Sequence, residues 1–412
     1  MTVWDDVVGQ ARTVAELTTA ASHAAELVDG AVTGAGAEGA AGPAVRAGSS
    51  MTHAWLFTGP PGSGRSTAAR AFAAALQCVS PDKALGAAPG CGFCDGCHTT
   101  LVGTHADVEA VRTDVLSIGV KETRDLVRRA SMSPAGGRWQ VILLEDADRL
   151  TEGAANVLLK AIEEPAPRTV WLLCAPSVED ALPTIRSRCR LLTLRTPSVA
   201  DVADVLTRRD GIDPGLAATV ARATQGHIGR ARRLASDESA RSRRATVLRL
   251  PLRVADIGGC LRAAQELVDS ATEDAKAVAE GVDAKETEEM RAALGAAAGL
   301  GSRMPRGTAG AMKDLADRQK RRSTRTQRDT LDLALTDLAG FYRDVLALQL
   351  GRSPETVANA EAMDGIRQIA GASHPEQSLR RIEAVLACRD ALDHNVAPLL
   401  AVEAMTLALR AG

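Results

Sequence analysis

Residues 59–67 read Gly59-Pro60-Pro61-Gly62-Ser63-Gly64-Arg65-Ser66-Thr67 and follow directly on the apolar run Ala54 to Phe57. The spacing is that of a phosphate-binding loop. In the pattern G-x-x-x-x-G-K-[ST] the glycines let backbone N–H groups converge on phosphates, the lysine reaches the β and γ phosphates, and the hydroxyl residue ligates magnesium. Here Arg65 stands where the pattern has lysine. An ammonium is compact and a guanidinium broad and planar, so the exchange fits that pocket poorly. The flanks, a strand before and the helical stretch Thr67 to Leu76 after, still specify a phosphate-loop fold. They make Gly59, Gly62, Gly64, Arg65, Ser66 and Thr67 the candidate nucleotide-binding residues, with hydrolysis in doubt.

Working outward, the pattern alternates strands and helices. Ala11 to Leu27 reads as a helix, Val108 to Val111 as a short strand, and Val120 to Ser131 as an amphipathic helix. Gln140 to Leu144 is a buried strand, Thr151 to about Glu163 a helix, and Thr169 to Cys174 another buried strand. Such alternation predicts a parallel sheet covered on both faces. Residues 30–50, rich in glycine and alanine and poor in bulky apolar groups, read as a flexible insertion. After Leu194 the character changes. Ser198 can cap a helix from Val199 to Arg209, Asp213-Pro214 pairs a cap with proline at the first helical position, and Gly226 can end the helix that follows. Beyond that, Arg262 to Leu267, Asp329 to Leu350 and Arg381 to Leu392 have helical spacing. Leu331, Leu335, Leu338, Tyr342 and Val345 form one helix face. The polar span Glu280 to Arg328 reads as partly mobile.

At 412 residues the chain exceeds one core, and two or three domains are expected. With 49 Lys and Arg against 51 Asp and Glu the net charge is −2, so any nucleic-acid contact would come from a local patch. Met1 to Gln10 carries no apolar leader and no run is long enough to span a bilayer, so a cytoplasmic protein is the expectation. Few aromatics and much alanine favour helices packed through small side chains.

Of eight cysteines, Cys78, Cys91, Cys94 and Cys97 sit together, the last three as C-x2-C-x2-C in Gly90-Cys91-Gly92-Phe93-Cys94-Asp95-Gly96-Cys97. Four thiolates complete a closed tetrahedral zinc shell, which is a structural site. Coincidental reduced thiols and an iron–sulfur cluster are the alternatives, the latter lacking its usual cysteine-proline. His98 is adjacent to Cys97, where joint ligation would be strained. Cys174, Cys260 and Cys388 read as buried small hydrophobes.

The strand Val141-Ile142-Leu143-Leu144 ends in Glu145-Asp146 and then Asp148, where phosphate-loop ATPases keep a magnesium aspartate and a water-polarising glutamate. The order is reversed. Each carboxylate would be misplaced by about one methylene, and catalytic geometry tolerates roughly 1 Å poorly; solvated acids at a strand end are the alternative. With Arg65, this argues against an efficient intrinsic ATPase. Thr184-Ile185-Arg186-Ser187-Arg188-Cys189-Arg190 is either a solvated edge or a source of an arginine for a neighbour's site, where such a finger is worth roughly 10³ to 10⁵ in rate.

Taken together, these residues resemble the AAA+ clamp-loader family over roughly residues 1 to 245. Further carriers are Trp4-Asp5-Asp6-Val7-Val8-Gly9-Gln10, Gly103-Thr104-His105-Ala106-Asp107, Ala154-Ala155-Asn156-Val157-Leu158-Leu159-Lys160-Ala161-Ile162-Glu163-Glu164-Pro165, and Ser187-Arg188-Cys189. The resemblance implies an α/β AAA+ parallel-sheet domain over 1–195 with an inserted zinc module at about 78–97, a helical lid at 196–240 and a helical collar at 241–412. It further implies that Arg188 serves an adjacent motor subunit's ATP site in trans, and that Arg230, in Gly226-His227-Ile228-Gly229-Arg230, is a second sensor able to touch a nucleotide. The polar first sensor is missing from Leu172 to Pro176 or displaced to Ser177. The implied partners are the motor subunits (gamma/tau) and delta subunit of a pentameric loader and, through the assembly, a sliding clamp and primed DNA, with no membrane. The implied cofactor is structural zinc, with ATP binding doubtful.

Two other functions fit the residues. One is a genuine AAA+ ATPase that tolerates Arg65 and Glu145. The other is a zinc-bearing DNA-binding module in which the basic run Lys320 to Arg328 meets phosphates, although no aromatic stacking residues accompany it.

Overall fold

The computed structural model describes residues 2–33, 50–113, 117–136, 138–293 and 309–412, and the chain divides into two compact units, the first ending at Arg232 and the second running from Arg233 to Gly412. The first unit is built on a parallel sheet. Its strands are β1 (Ala54–Thr58), β2 (Val108–Val111), β3 (Gln140–Leu144), β4 (Thr169–Ala175) and β5 (Arg190–Thr193), in the spatial order β2-β3-β4-β1-β5. Trp55 lies opposite Leu172 of β4 on one side and Arg190 of β5 on the other. Every residue of β1, β3 and β4 is buried, as expected of strands covered on both faces. The period-two alternation sends Trp55, Phe57, Val141, Leu143, Leu172 and Cys174 to one face. There they meet α1 (Ala11–Thr33) and α2 (Arg65–Leu76). Leu56, Ile142, Leu144, Trp171 and Leu173 go to the other, against α4 (Val120–Ala130) and α5 (Glu152–Glu163). The expected α/β class is what is found.

Helix boundaries follow local chemistry. Thr151 caps α5 by accepting a hydrogen bond from the Ala154 N–H at 3.3 Å. α3 (Asp95–Val102) starts directly after Cys94 and ends at Gly103, whose φ of 85° is a left-handed cap. The short α6 (Pro183–Arg186) leads into β5. Then come α7 (Val199–Arg208), α8 (Pro214–Ala223) and α9 (Ile228–Ser236). Ser198 and Asp201 form a reciprocal capping box on α7, and Asp213 caps α8 by accepting from the Leu216 N–H at 3.0 Å.

Two expectations differ from the structure, and a third falls partly outside the described residues. α1 continues through Gly30 to Thr33, the first residues of the stretch taken as flexible; residues 34–49 lie outside the described residues. β5 falls on part of what read as a charged edge run. It pairs with β1 alone, so only Leu192 needs full burial and the apolar signal is too short to see. In the span from Glu280 to Arg328, residues 280–293 and 309–328 are helical and 294–308 lie outside the described residues.

That span belongs to the second unit, made of α10 (Glu238–Arg249), α11 (Ile257–Ala293), α12 (Ala309–Gln349), α13 (Met363–Ala372), α14 (Pro375–Asp393) and α15 (Pro398–Ala411). The anticipated face of Leu331, Leu335, Leu338, Tyr342 and Val345 is buried throughout. Past this core, polar contacts hold α11 and α12 together. Arg322 pairs with Asp283 and with Glu286 at 2.7 Å, and Gln327 donates to Thr272 at 2.6 Å. Arg322 and Arg325 of the basic run are thus turned into the protein, and Arg328 donates to Asn395 at 2.7 Å. Arg244 is buried with Asp337 at 3.3 Å and also reaches Asn359 and Glu361.

Candidate functional site

The phosphate loop leaves β1 at the carboxyl end of the sheet, beside the point between β1 and β4 where the connections turn in opposite directions. Such a switch point is where open α/β sheets bind ligands. Gly62 and Gly64 take φ of 87° and 88°, a region closed to most side chains, which bends the loop into the first turn of α2. Ser66 and Thr67 lie in that first turn, half-buried and exposed respectively. Ser63 is buried and its Oγ has no hydrogen-bond partner among the described residues. Arg65 does not reach away from the loop. Its Nη1 donates to the carbonyl of Gly59, and burial pulls its guanidinium below the ordinary arginine range against the pull of nearby acids.

The strand-end acids are engaged by protein groups, so the alternative of solvated carboxylates does not describe them. Glu145 accepts from Arg70 Nη2 at 2.8 Å with its side chain 13% exposed. Asp146 accepts from the Thr113 N–H at 3.0 Å. Asp148, absent from the candidate set, is pushed above the usual carboxylate range by burial. Ser177 accepts from the Asp180 N–H at 3.3 Å, a local turn contact.

Two contributors carried little sequence signal. Arg70 looks like any helix-surface arginine until β3 is laid beside α2. His227, quoted only within a motif, packs on the loop so closely that a Cβ at Gly62 would lie 2.7 Å from its Cβ. Its imidazole is lowered to about 4, first by burial and then by Arg230 and Arg65, and is neutral at pH 7. Arg230 is half-buried on α9, with its N–H 3.3 Å from His227 Nδ1.

The four cysteines converge as expected. Their Sγ atoms all lie within 4.8 Å of one another, and Cys78 stands 3.9 Å from both Cys91 and Cys94. A tetrahedral ion with bonds of about 2.3 Å needs sulfurs about 3.8 Å apart, so the group fits a metal ion. The Val79 N–H lies 3.4 Å from Cys94 Sγ and the Cys94 N–H 3.4 Å from Cys91 Sγ, contacts that suit thiolates. The Cys97 thiol donates to the Ala74 carbonyl at 3.4 Å, and the closeness of Cys97 and Cys78 draws Cys78 toward the thiolate while raising Cys97. Gly96 admits the Gln77 backbone, since a Cβ there would overlap the Gln77 carbonyl oxygen and sit 2.9 Å from its carbon. Cys174, Cys260 and Cys388 are buried as expected, and burial raises each thiol.

Arg188 lies between α6 and β5 with its side chain 39% exposed, held by Glu163 and by the Thr184 carbonyl at 3.0 Å. Arg190, which looked equivalent in sequence, is used internally. It pairs with Glu16 at 2.6 Å and lies 5.0 Å over the Trp55 ring. Asp107, from the Gly103 to Asp107 motif, is buried and accepts from the Ala135 and Gly136 N–H groups at 2.6 and 2.7 Å, a structural role.

Residues 45–198 match the family described as DNA polymerase III, delta subunit. A delta prime subunit of DNA polymerase III from Pseudomonas aeruginosa is 37% identical over 158 residues, covering 38% of this chain and 47% of that protein. The delta prime subunit of Bacillus subtilis is 30% identical over 200 residues, 48% of this chain and 59% of the relative. The gamma/tau subunit of Mycobacterium tuberculosis is 35% identical over 152 residues, 35% of this chain and 26% of the relative. The matched stretch is therefore less than two thirds of each relative's length. It supports the resemblance to clamp-loader subunits drawn from the motifs. No helix among the described residues is long and apolar enough to cross a membrane.

Proposed function

We propose, from the premise that residues 45–198 are a domain of the DNA polymerase III clamp-loader family, that this chain is a delta prime subunit. It acts as a stator in a pentameric loader that places the sliding clamp on primed DNA, and it lends Arg188 to a neighbouring motor subunit's ATP site. The observation that carries the reading is a contrast within one sheet. The chain's own pocket is occupied by its own side chains, with Arg65 on Gly59 and Arg70 on Glu145, while Arg188 stands at the surface. Glu163 is no obstacle to donation, since an exposed ion pair is worth about 0–1 kcal/mol. The chain then contributes to hydrolysis without an efficient turnover of its own, and any bound nucleotide would meet Arg230.

The domain limits at 195 and 240 belong to this reading, as do gamma/tau, delta, the clamp and primed DNA as partners and a cytoplasmic replisome as the location. Helix α15 favours the collar assignment. Leu400, Ala404 and Leu407 are exposed on it while Ala401, Val402, Met405 and Leu409 are buried, and a helix apolar on both faces calls for a second cover. Zinc held by Cys78, Cys91, Cys94 and Cys97 would be structural, because four thiolates leave no open position.

The test is clamp- and DNA-stimulated ATP hydrolysis by a loader reconstituted from this chain and its cognate motor subunits. Arg188→Ala should cost roughly 10³-fold or more at the site it serves while assembly on a sizing column is unchanged. Unaltered hydrolysis in the assembled complex would remove the finger role. Turnover by the isolated chain would favour an intrinsic ATPase.

A further inference from the structure

Three contacts at the phosphate loop come from the chain itself at places where a nucleotide complex uses ligand or metal. Arg65 is folded back on the Gly59 carbonyl, Arg70 holds Glu145 at 2.8 Å, and His227 lies against Gly62. We propose that Arg70 is a built-in cation for the strand-end carboxylate, engaging Glu145 in place of a divalent metal. With Arg65 and His227 it holds the loop through contacts made by the chain's own side chains. This rests on reading the pocket as a degenerate nucleotide site, and it adds the residue that makes the site indifferent to magnesium.

A carboxylate largely withdrawn from water needs a counter-charge; Glu145 is 13% exposed, and the Arg70 side chain, itself 43% exposed, reaches in to supply it. Glu145 already has its partner. A magnesium ion arriving there would have to displace a guanidinium and then sit beside it, cation against cation. The neighbouring acid offers no substitute, because Asp146 accepts from the Thr113 backbone and lies 4.0 Å from Arg149. On the other side, Arg65 is a second fixed cation within the loop. The pocket thus carries two fixed cations of its own, and a phosphate ligand would gain little from bringing a metal with it.

The experiment titrates the full-length chain with a fluorescent ATP analogue, once with magnesium and once with EDTA. It compares the natural chain with Arg70→Ala, Arg70→Met and Arg70→Lys, with thermal melts as the control for folding. The natural chain and Arg70→Lys should show magnesium and EDTA curves within about twofold of each other. Arg70→Ala and Arg70→Met should bind the analogue at least about tenfold more tightly with magnesium than with EDTA. The double change Arg70→Ala with Glu145→Gln should lose that preference. If both single variants melt as unfolded protein, the natural chain still decides, because magnesium-dependent tightening with Arg70 in place overturns the proposal. Folded Arg70→Ala and Arg70→Met showing the natural chain's ratio would also overturn it. These titrations need no partner subunit, so their failure is separable from a failure of Arg188 in the reconstituted loader.

Discussion

If the four-cysteine cluster holds zinc as proposed, replacing Gly96 by alanine should dismantle that site from a position that supplies no ligand. The added Cβ overlaps the Gln77 carbonyl oxygen and lies 2.9 Å from its carbon, so backbone rather than a flexible side chain must give way. Relieving it takes a movement of roughly 1 Å in a close-packed interior. Gln77 cannot move alone, since its side chain donates to the Trp139 carbonyl and its N–H to that of Ala73 at 3.2 Å. The next residue is Cys78, whose sulfur stands 3.9 Å from two other ligands. A metal site holds its distances to about ±0.2 Å, so a shift of this size removes one thiolate of four. If four ligands share an apparent binding energy of about 10–16 kcal/mol, losing one costs roughly 3 kcal/mol, or about two orders of magnitude in affinity. The assay is zinc release to a chromogenic chelator from purified Gly96→Ala and natural protein, at matched folding by circular dichroism. A variant that keeps one zinc per chain and releases it at the natural rate would refute the reasoning.

Further outcomes follow from buried groups. His227 is lowered to about 4 from an ordinary 6.5, so the unfolded chain takes up a proton that the folded chain refuses as pH falls from about 6.5 toward 4. Stability from this group is therefore complete above pH 6.5 and declines through that window by on the order of 2 kcal/mol after allowing for partial exposure. Urea titrations at several pH values should show a shallower slope for His227→Gln, and identical slopes would count against the packing described. In the second unit, Arg244→Met leaves Asp337 buried beside an apolar side chain and should cost roughly 3–5 kcal/mol. Arg244→Met with Asp337→Leu should recover most of it, and denaturant midpoints that fail to recover would mean that the arginine matters through other contacts.

The central strands were legible because a strand buried on both faces has to be a continuous apolar run between helices, and Gln140 to Leu144 falls where the pattern places it, with Thr169 to Cys174 reaching one residue further to Ala175. The cysteine cluster was legible for a different reason, since metal ligation needs particular atoms at short spacing and C-x2-C-x2-C has few other uses. β5 was not, because an edge strand pairing on one side can carry Arg190 and an exposed Leu191. The distal parts of α11 and α12 were hidden because polar side chains hold them together, and Arg322 with Asp283 and Glu286 looks in sequence like solvated surface. The part played by Arg70 could not be read at all, since its partner is 75 residues away and the pair exists only once β3 lies beside α2.

One helix joins the two features that chemistry would otherwise treat as separate. α2 starts at Arg65 in the phosphate loop and ends at Leu76, two residues short of Cys78. At 1.5 Å per residue its twelve residues make a strut about 18 Å long. Alanines line most of its length, all buried, so it has neighbours at short distance on nearly every side and little room to roll or slide. The loop arginines and the first cysteine of the knuckle are therefore set by one helix, and the knuckle shares its foundation with the pocket instead of standing beside it.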